Sequence, residues 1–248
     1  MLTWVKKIFF CYTDSFWLFN KPIAHRGLWN EQIIENSIPA YKNAVEKGYP
    51  IEIDVFLSKD NVFMSFHDST LTRMTGKEGY IYDKTYSELK SLRLKNSDEQ
   101  IPSLDEVLEL CQGKVPLLIE IKKQPNKNVV DLLCEKLKNY TGKFAIQSFN
   151  PFYIKRVKKI APNFIRGILG TENAEDEKPF TKRVLKNLSF NFLCKPQFIS
   201  YRHTGLPLKK IIRKNLPVIA WTITDEESYK KVKPFAKNII FEGFIPKT

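Results

Sequence analysis

Pro50-Ile51-Glu52-Ile53-Asp54-Val55-Phe56 alternates strictly between aliphatic and acidic residues from Ile51 to Val55. Successive side chains of a strand point to opposite faces, so Glu52 and Asp54 share one face while Ile51, Ile53 and Val55 share the other. The same reading of Leu118-Ile119-Glu120-Ile121-Lys122 sets Glu120 and Lys122 together, opposite Ile119 and Ile121. Short β-branched or aliphatic runs recur on both sides of these two, with helix-like segments between many of them, as parallel strands with helical crossovers require. Strands are expected at Pro22–Arg26, Pro50–Phe56, Val62–His67, Val115–Lys122, Phe144–Phe149, Ile165–Leu169, Phe198–Tyr201, Val218–Ile223 and Asn238–Glu242. Leu57 to Asn61 is too short for a parallel crossover, which takes roughly a dozen residues. Val62–His67 therefore reads as a hairpin partner of the preceding strand, outside the regular pattern. The expected fold class is α/β, a TIM-type (β/α)8 barrel with a small insertion after the His67-Asp68 strand. A chain of 248 residues suits one such domain, which takes roughly 250 residues, so residues 1–248 read as a single unit.

Helix signals fall between the strands. Ser37 before Pro39 opens a helix that Gly48 closes, and Ser103-Leu-Asp-Glu106 and Thr224-Asp-Glu-Glu227 read as capping boxes. The segment from Ser69 to Gln112 is long for one connection and carries its own start signal at Thr85-Tyr-Ser-Glu88. Residues 69–112 are accordingly expected to form an insertion subdomain, the kind of element that builds lids and pockets.

Composition narrows the function classes without choosing among them. The 43% hydrophobic content excludes a disordered chain. The net charge of +13 suits nucleic acid, an anionic surface or a phosphorylated substrate equally. From Lys178 to Lys214 the chain has Lys182, Arg183, Lys186, Lys195, Arg202, Lys209, Lys210 and Arg213 and no acidic residue, which makes one side electropositive. No nucleic-acid recognition motif accompanies this charge, so specific nucleic-acid binding is not expected. Cys11, Cys111, Cys134 and Cys194 are too scattered for a zinc site or a disulfide framework. With no signal-peptide cleavage pattern, this implies a cytoplasmic location. Trp4, Phe9, Phe10, Phe16, Trp17 and Phe19 crowd the first twenty residues, but Lys6, Lys7 and Asp14 interrupt them, short of the roughly 18 apolar residues of a membrane span. This segment is expected to close the bottom of the barrel. An aromatic, basic stretch also suits peripheral contact with a membrane surface.

Three acids inside a barrel are costly to desolvate unless a positive charge sits among them, and an all-oxygen set selects Mg²⁺ or Ca²⁺. Taken alone, Glu52, Asp54 and Glu120 serve equally well as an ion-pair cluster with Lys122. The histidines favour chemistry. Of three in the chain, His25 ends the first strand beside Arg26 and His67 ends another beside Asp68. Imidazoles so placed give and take protons near neutral pH. His203, in a basic loop-like stretch, has no such context.

His25-Arg26-Gly27, Glu35-Asn36-Ser37, Glu52-x-Asp54, His67-Asp68, Leu71-x-Arg73-x-Thr75-Gly76, Ile101-Pro102-Ser103-Leu104, Glu120-x-Lys122, Ser148-Phe149 and Trp221-Thr222 follow one another in order. From about Ile23 to Thr222 the chain resembles the glycerophosphodiester phosphodiesterases. That resemblance implies an α/β barrel in which Glu52, Asp54 and Glu120 hold a divalent cation and His25 and His67 are general acid and base. It further implies that Arg26 holds the phosphate, Lys122 adds charge beside it and Trp221 packs against the glycerol. The implied reaction converts a glycerophosphodiester to glycerol 3-phosphate and an alcohol, with a glycerol hydroxyl attacking first to give a cyclic phosphate that water opens. Two alternatives stand beside it. One keeps the chemistry on a lysophospholipid or a glycerophosphate polymer, and the other is a non-catalytic protein that binds anionic surfaces or nucleic acid. The chain departs from the family pattern at Ile34, where proline is usual, and at Phe241-Glu242-Gly243-Phe244-Ile245-Pro246, where Thr-Asp-x-Pro is usual.

Overall fold

The computed structural model describes residues 16–95, 97–174, 178–213 and 215–247. Among these, nine strands form one sheet: β1 (Ile23–His25), β2 (Ile51–Leu57), β3 (Phe63–Ser65), β4 (Leu117–Ile121), β5 (Phe144–Ser148), β6 (Ile165–Gly170), β7 (Phe198–Arg202), β8 (Val218–Ile223) and β9 (Asn238–Phe241). Their order is β1-β9-β8-β7-β6-β5-β4-β2-β3, and a further pairing of β1 with β2 closes eight parallel strands into a barrel. The helices are α1 (Ile38–Glu46), α2 (Thr72–Thr75), α3 (Tyr86–Ser91), α4 (Leu104–Cys111), α5 (Val129–Leu137), α6 (Pro151–Ile160), α7 (Pro179–Asn187), α8 (Asn191–Cys194), α9 (Lys210–Arg213) and α10 (Glu226–Val232). The expected α/β barrel and its hairpin are both present.

β3 runs antiparallel to β2, with Val55 opposite Ser65 and Leu57 opposite Phe63. β1 lies along the same edge of β2 lower down, with His25 opposite Glu52. The two therefore share one strand edge, and β3 leads the chain back toward the point where β1 stops. His67 was expected at the end of a strand. It lies two residues past β3, in the bend that follows the hydrogen bond from Phe66 N to Asp54 O, 3.1 Å.

Two apolar layers hold the barrel. Outside, Ile51, Ile53, Val55 and Leu57 of β2 and Leu117, Ile119 and Ile121 of β4 pack with Ala44, Val107, Leu133 and Val157 of the surrounding helices. Inside, Ile23, Leu118, Ala145, Ile165, Phe198, Ile219 and Ile240 fill the floor with Trp17 and Leu18. Asn238 Nδ2 ties this plug in place by donating to Leu18 O at 2.7 Å and Lys21 O at 2.8 Å. Residues 1–15 of the aromatic segment lie outside the described residues. Gly167 is required by the filling, because a Cβ there would stand 2.2 Å from the Phe198 ring.

Ser37 caps α1 and accepts from Ala40 N, and the boxes at Thr85 and Ser103 are both complete. At α10 the cap is Asp225 rather than Thr224. Its carboxylate accepts from Ser228 N at 2.7 Å, three residues on, as an N-cap side chain does. Within 69–112, Leu71, Met74, Ile81, Leu89, Leu94 and Ile101 gather with Phe56, Met64 and Phe66 in a small separate cluster. Helix α4, in the same span, instead sends Leu104, Val107 and Cys111 into the main core.

Candidate active site

The inward-facing positions just above the apolar floor are polar. Glu52 and Asp54 project from β2 and Glu120 from β4, in a register that sets Asp54 beside Glu120. One carboxylate oxygen from each lies within 4.8 Å of the others, and all three residues are buried. Lys122 Nζ stands 3.1 Å from Glu120 Oε1 and 3.3 Å from Asp54 Oδ1. Burial, then the charges of Asp54 and Glu120, push the Glu52 carboxyl well above its ordinary range. Asp54 goes the other way. Burial alone would raise it, but Lys122, His67 and Arg26 outweigh that and hold it well below.

His25 ends β1 and faces Glu52, its Nε2 3.9 Å from Glu52 Oε2. Its Nδ1–H donates to Glu242 Oε2. Ala24 pairs with Phe241 where β9 meets β1, so the next residue along each strand is His25 and Glu242. His67 Nδ1–H donates to Asp68 Oδ1 at 2.6 Å. Asp68 also accepts from Arg73 Nε, and Arg73 Nη2 reaches Glu35 Oε1 at 2.7 Å. Glu35 in turn accepts from Arg26 Nη1 at 2.9 Å, while Arg26 Nε lies 3.5 Å from Asp54 Oδ2. Each imidazole thus leans on a carboxylate that fixes which ring nitrogen carries the proton.

Arg26 adopts φ +59°, in the left-handed region that L side chains rarely occupy, and Gly27 follows at φ +86° with no room for a Cβ beside Ala40. The turn is held by Asn36 N donating to Arg26 O at 2.9 Å. Asn36 also donates through Nδ2 to Asp54 Oδ2 at 3.3 Å and accepts from the Tyr41 hydroxyl at 2.8 Å.

A cavity of about 90 Å³ opens at the C-terminal end of the strands, lined by His25, Arg26, Glu52, His67, Glu120, Lys122, Gln147, Phe149 and Trp221. Trp221 meets Phe149 edge-on at 5.6 Å and its buried indole N–H has no hydrogen-bond partner. Apart from Asp54, which sits behind Lys122 and Arg26, each site residue expected from the sequence lines this cavity. His203 lies elsewhere, in the turn after β7.

Sequence reasoning passed over Glu242 as a partner of His25 and Glu35 as the link between Arg26 and Arg73. The only signal for Glu242 was its place in a motif that departs from the family pattern.

The arrangement fits a hard divalent cation. Asp54 Oδ1 is buried and accepts no hydrogen bond, its neighbour being the Lys122 ammonium. An open oxygen in the middle of an all-carboxylate set is a donor array for Mg²⁺ or Ca²⁺.

Residues 25–242 match the model of the glycerophosphoryl diester phosphodiesterase family. The chain belongs to that family. This glycerophosphoryl diester phosphodiesterase-family chain is 38% identical over 159 residues to a glycerophosphodiester phosphodiesterase of Caldanaerobacter subterraneus, a match that spans 59% of this chain and 65% of that protein. It is 26% identical over 252 residues to glycerophosphodiester phosphodiesterase 1 of Mus musculus, with 84% of this chain and 73% of that protein covered. Among solved structures it resembles a phosphodiesterase of Oleispira antarctica in complex with the product sn-glycerol-3-phosphate. There the TM-score is 0.74 at 24% identity, over 92% of this chain and 94% of that one. Family membership makes the barrel that of a phosphoric diester hydrolase.

Proposed function

We propose that this protein hydrolyses glycerophosphodiesters to glycerol 3-phosphate and an alcohol, with Glu52, Asp54 and Glu120 holding Mg²⁺ or Ca²⁺. The observation that carries the reading is a cluster of three buried carboxylates, Glu52 and Glu120 of which line one cavity together with two carboxylate-supported histidines. A phosphodiester monoanion repels nucleophiles, so its hydrolysis needs positive charge at the non-bridging oxygens, a base for the attacking hydroxyl and an acid for the leaving alcohol. When bound, the cation supplies Lewis-acid charge at the phosphate.

Arg26 and Lys122, which line the same cavity, would add cationic donors to the phosphate. Both are already anchored to acids, which fixes where their charge sits before substrate arrives. His25, oriented by Glu242, and His67, oriented by Asp68, form the proton-transfer pair. In the overall reaction a new bond joins phosphorus to water's oxygen, the bond from phosphorus to the alcohol oxygen breaks, and that oxygen leaves with a proton. Trp221 offers an apolar face for the glycerol carbons and an unmatched N–H for a glycerol oxygen. Glycerol 3-phosphate is the product held by the Oleispira relative, which agrees with this substrate class.

Turnover of glycerophosphocholine with added Mg²⁺ or Ca²⁺ tests the reading. His25→Ala and His67→Ala should each lose roughly 10²-fold or more in kcat, the usual scale for general acid–base groups. His203→Ala should retain the wild-type rate. Equal losses at all three positions would show that the histidines serve the fold and not the reaction.

A further inference from the structure

Phe144-Ala145-Ile146-Gln147-Ser148 forms β5, and the two-residue period of a strand puts Ala145 and Gln147 on one face. Ala145 belongs to the apolar floor, and Gln147, one level higher, lines the catalytic cavity. The parallel register sets Gln147 beside Glu120 of β4 on one side and beside Gly167 of β6 on the other. Gly167 interposes no side chain, and Ser200 of β7 reaches past it to donate its hydroxyl to Gln147 Oε1 at 2.7 Å. Both residues are buried, Gln147 at 1% and Ser200 at 0% exposure. That bond sets which way the amide points. Ser200 Oγ has no other hydrogen-bond partner among the described residues, so turning the amide round would leave its hydroxyl proton without an acceptor. Gln147 Nε2 is then the end left to the cavity, and among the described residues it donates to nothing. Buried N–H groups of this kind cost stability unless something accepts from them.

We propose that Gln147 is a substrate-binding residue whose Nε2–H donates to a non-bridging oxygen of the reacting phosphodiester, with Ser200 as its positioning residue. The proposal rests on the phosphodiesterase reading above and adds a donor to it. Position and chemistry choose the acceptor. Gln147 stands level with Glu120 of the acid cluster, whereas Trp221 meets Phe149, two residues further along the chain and beyond the end of β5. The amide thus belongs to the phosphate end of the cavity and Trp221 to the glycerol end. With its carbonyl held by Ser200, Gln147 presents only donors, and a phosphoryl oxygen only accepts. Arg26 and Lys122 are each tied to an acid, but the amide is held by a neutral hydroxyl and keeps both N–H groups for the ligand.

The test measures kcat/KM for glycerophosphocholine and for bis(para-nitrophenyl) phosphate, which has no glycerol, at saturating Mg²⁺ or Ca²⁺. Where the aryl diester is not hydrolysed, its inhibition constant against glycerophosphocholine replaces its rate. Gln147→Met keeps the length of the side chain and removes the donor. It should weaken both diesters by roughly tenfold to a hundredfold, the scale of a hydrogen bond to a charged group, and leave the ion concentration for half-maximal rate within about twofold of wild type. Gln147→Met combined with Ser200→Ala removes both partners, so no buried hydroxyl is stranded. The double variant should melt near wild type and keep the loss. Recovery of the wild-type rate in the double variant would make the loss one of packing and overturn the proposal. So would wild-type rates in Gln147→Met, a loss confined to glycerophosphocholine, or a shift in ion requirement that accounts for the loss. If wild type hydrolyses neither diester, the phosphodiesterase reading fails, and calorimetry with glycerol 3-phosphate then decides the role of Gln147. Binding roughly tenfold or more tighter to wild type than to Gln147→Met supports it, and equal or undetectable binding to both overturns it.

Discussion

Glu35 shows how one buried carboxylate fixes two cations of the site. It accepts from both Arg26 and Arg73, and through Arg73 it braces the Asp68 carboxylate that supports His67. Burial alone would raise its pKa, but the Arg73 hydrogen bond and the Arg26 charge outweigh that and hold the carboxyl below its ordinary value. A carboxyl depressed in the folded state stabilises the fold above its unfolded pKa, about 4.3 for Glu, and that contribution is lost as pH falls through the lower folded value. Below about pH 4 the wild-type denaturation midpoint should therefore drop, and Glu35→Gln should flatten that drop. Parallel acid limbs for the two proteins would show that Glu35 makes no such contribution. Residues of this kind were only half legible. Glu52, Asp54, Glu120 and Lys122 declare themselves because strand alternation fixes their face within five residues of sequence. The contact between Glu242 and His25 spans 217 positions and exists only because the last strand closes on the first.

Among the elements, the strands were the clearest feature of the sequence and their ends the least clear. β3 stops at Ser65, before His67, because its partner edge on β2 is taken over by β1 at Glu52. The hairpin itself could be read from the five residues that precede Val62, since no crossover fits there. What alternation does not reveal is how the interior is filled. Gly167 of β6 faces Phe198 of β7 inside the barrel, and the ring occupies the space where a side chain on β6 would stand. Gly167→Ala should cost about 1–3 kcal/mol through overpacking. Adding Phe198→Leu should recover part of it, since residues in contact do not act additively. Calorimetric melting of the two single variants and the double variant checks this. Strict additivity would mean that the two side chains do not compete for one space.

At the scale of the whole molecule, exposed lysines and arginines, among them Lys182, Arg183, Lys186, Lys209 and Lys210, mark the segment between β6 and β8, while the buried acids Glu35, Glu52, Asp54 and Glu120 gather at the candidate site. No described helix is long and apolar enough to cross a membrane. A barrel closed by β1 and β2 brings together residues from opposite ends of the chain, so the candidate site is a product of closure as much as of any motif. The chemistry proposed for it rests on the cluster of Glu52, Asp54 and Glu120. Like charges this close, with the Glu52 carboxyl pushed up by burial and by its two neighbours, are consistent with a cation among them. The most direct test follows glycerol 3-phosphate release from glycerophosphocholine by phosphorus NMR, using protein stripped with a chelator and then titrated with Mg²⁺ or Ca²⁺. The account predicts no product from the stripped protein and restored turnover as either ion is added. Full-rate hydrolysis by the stripped protein would contradict it.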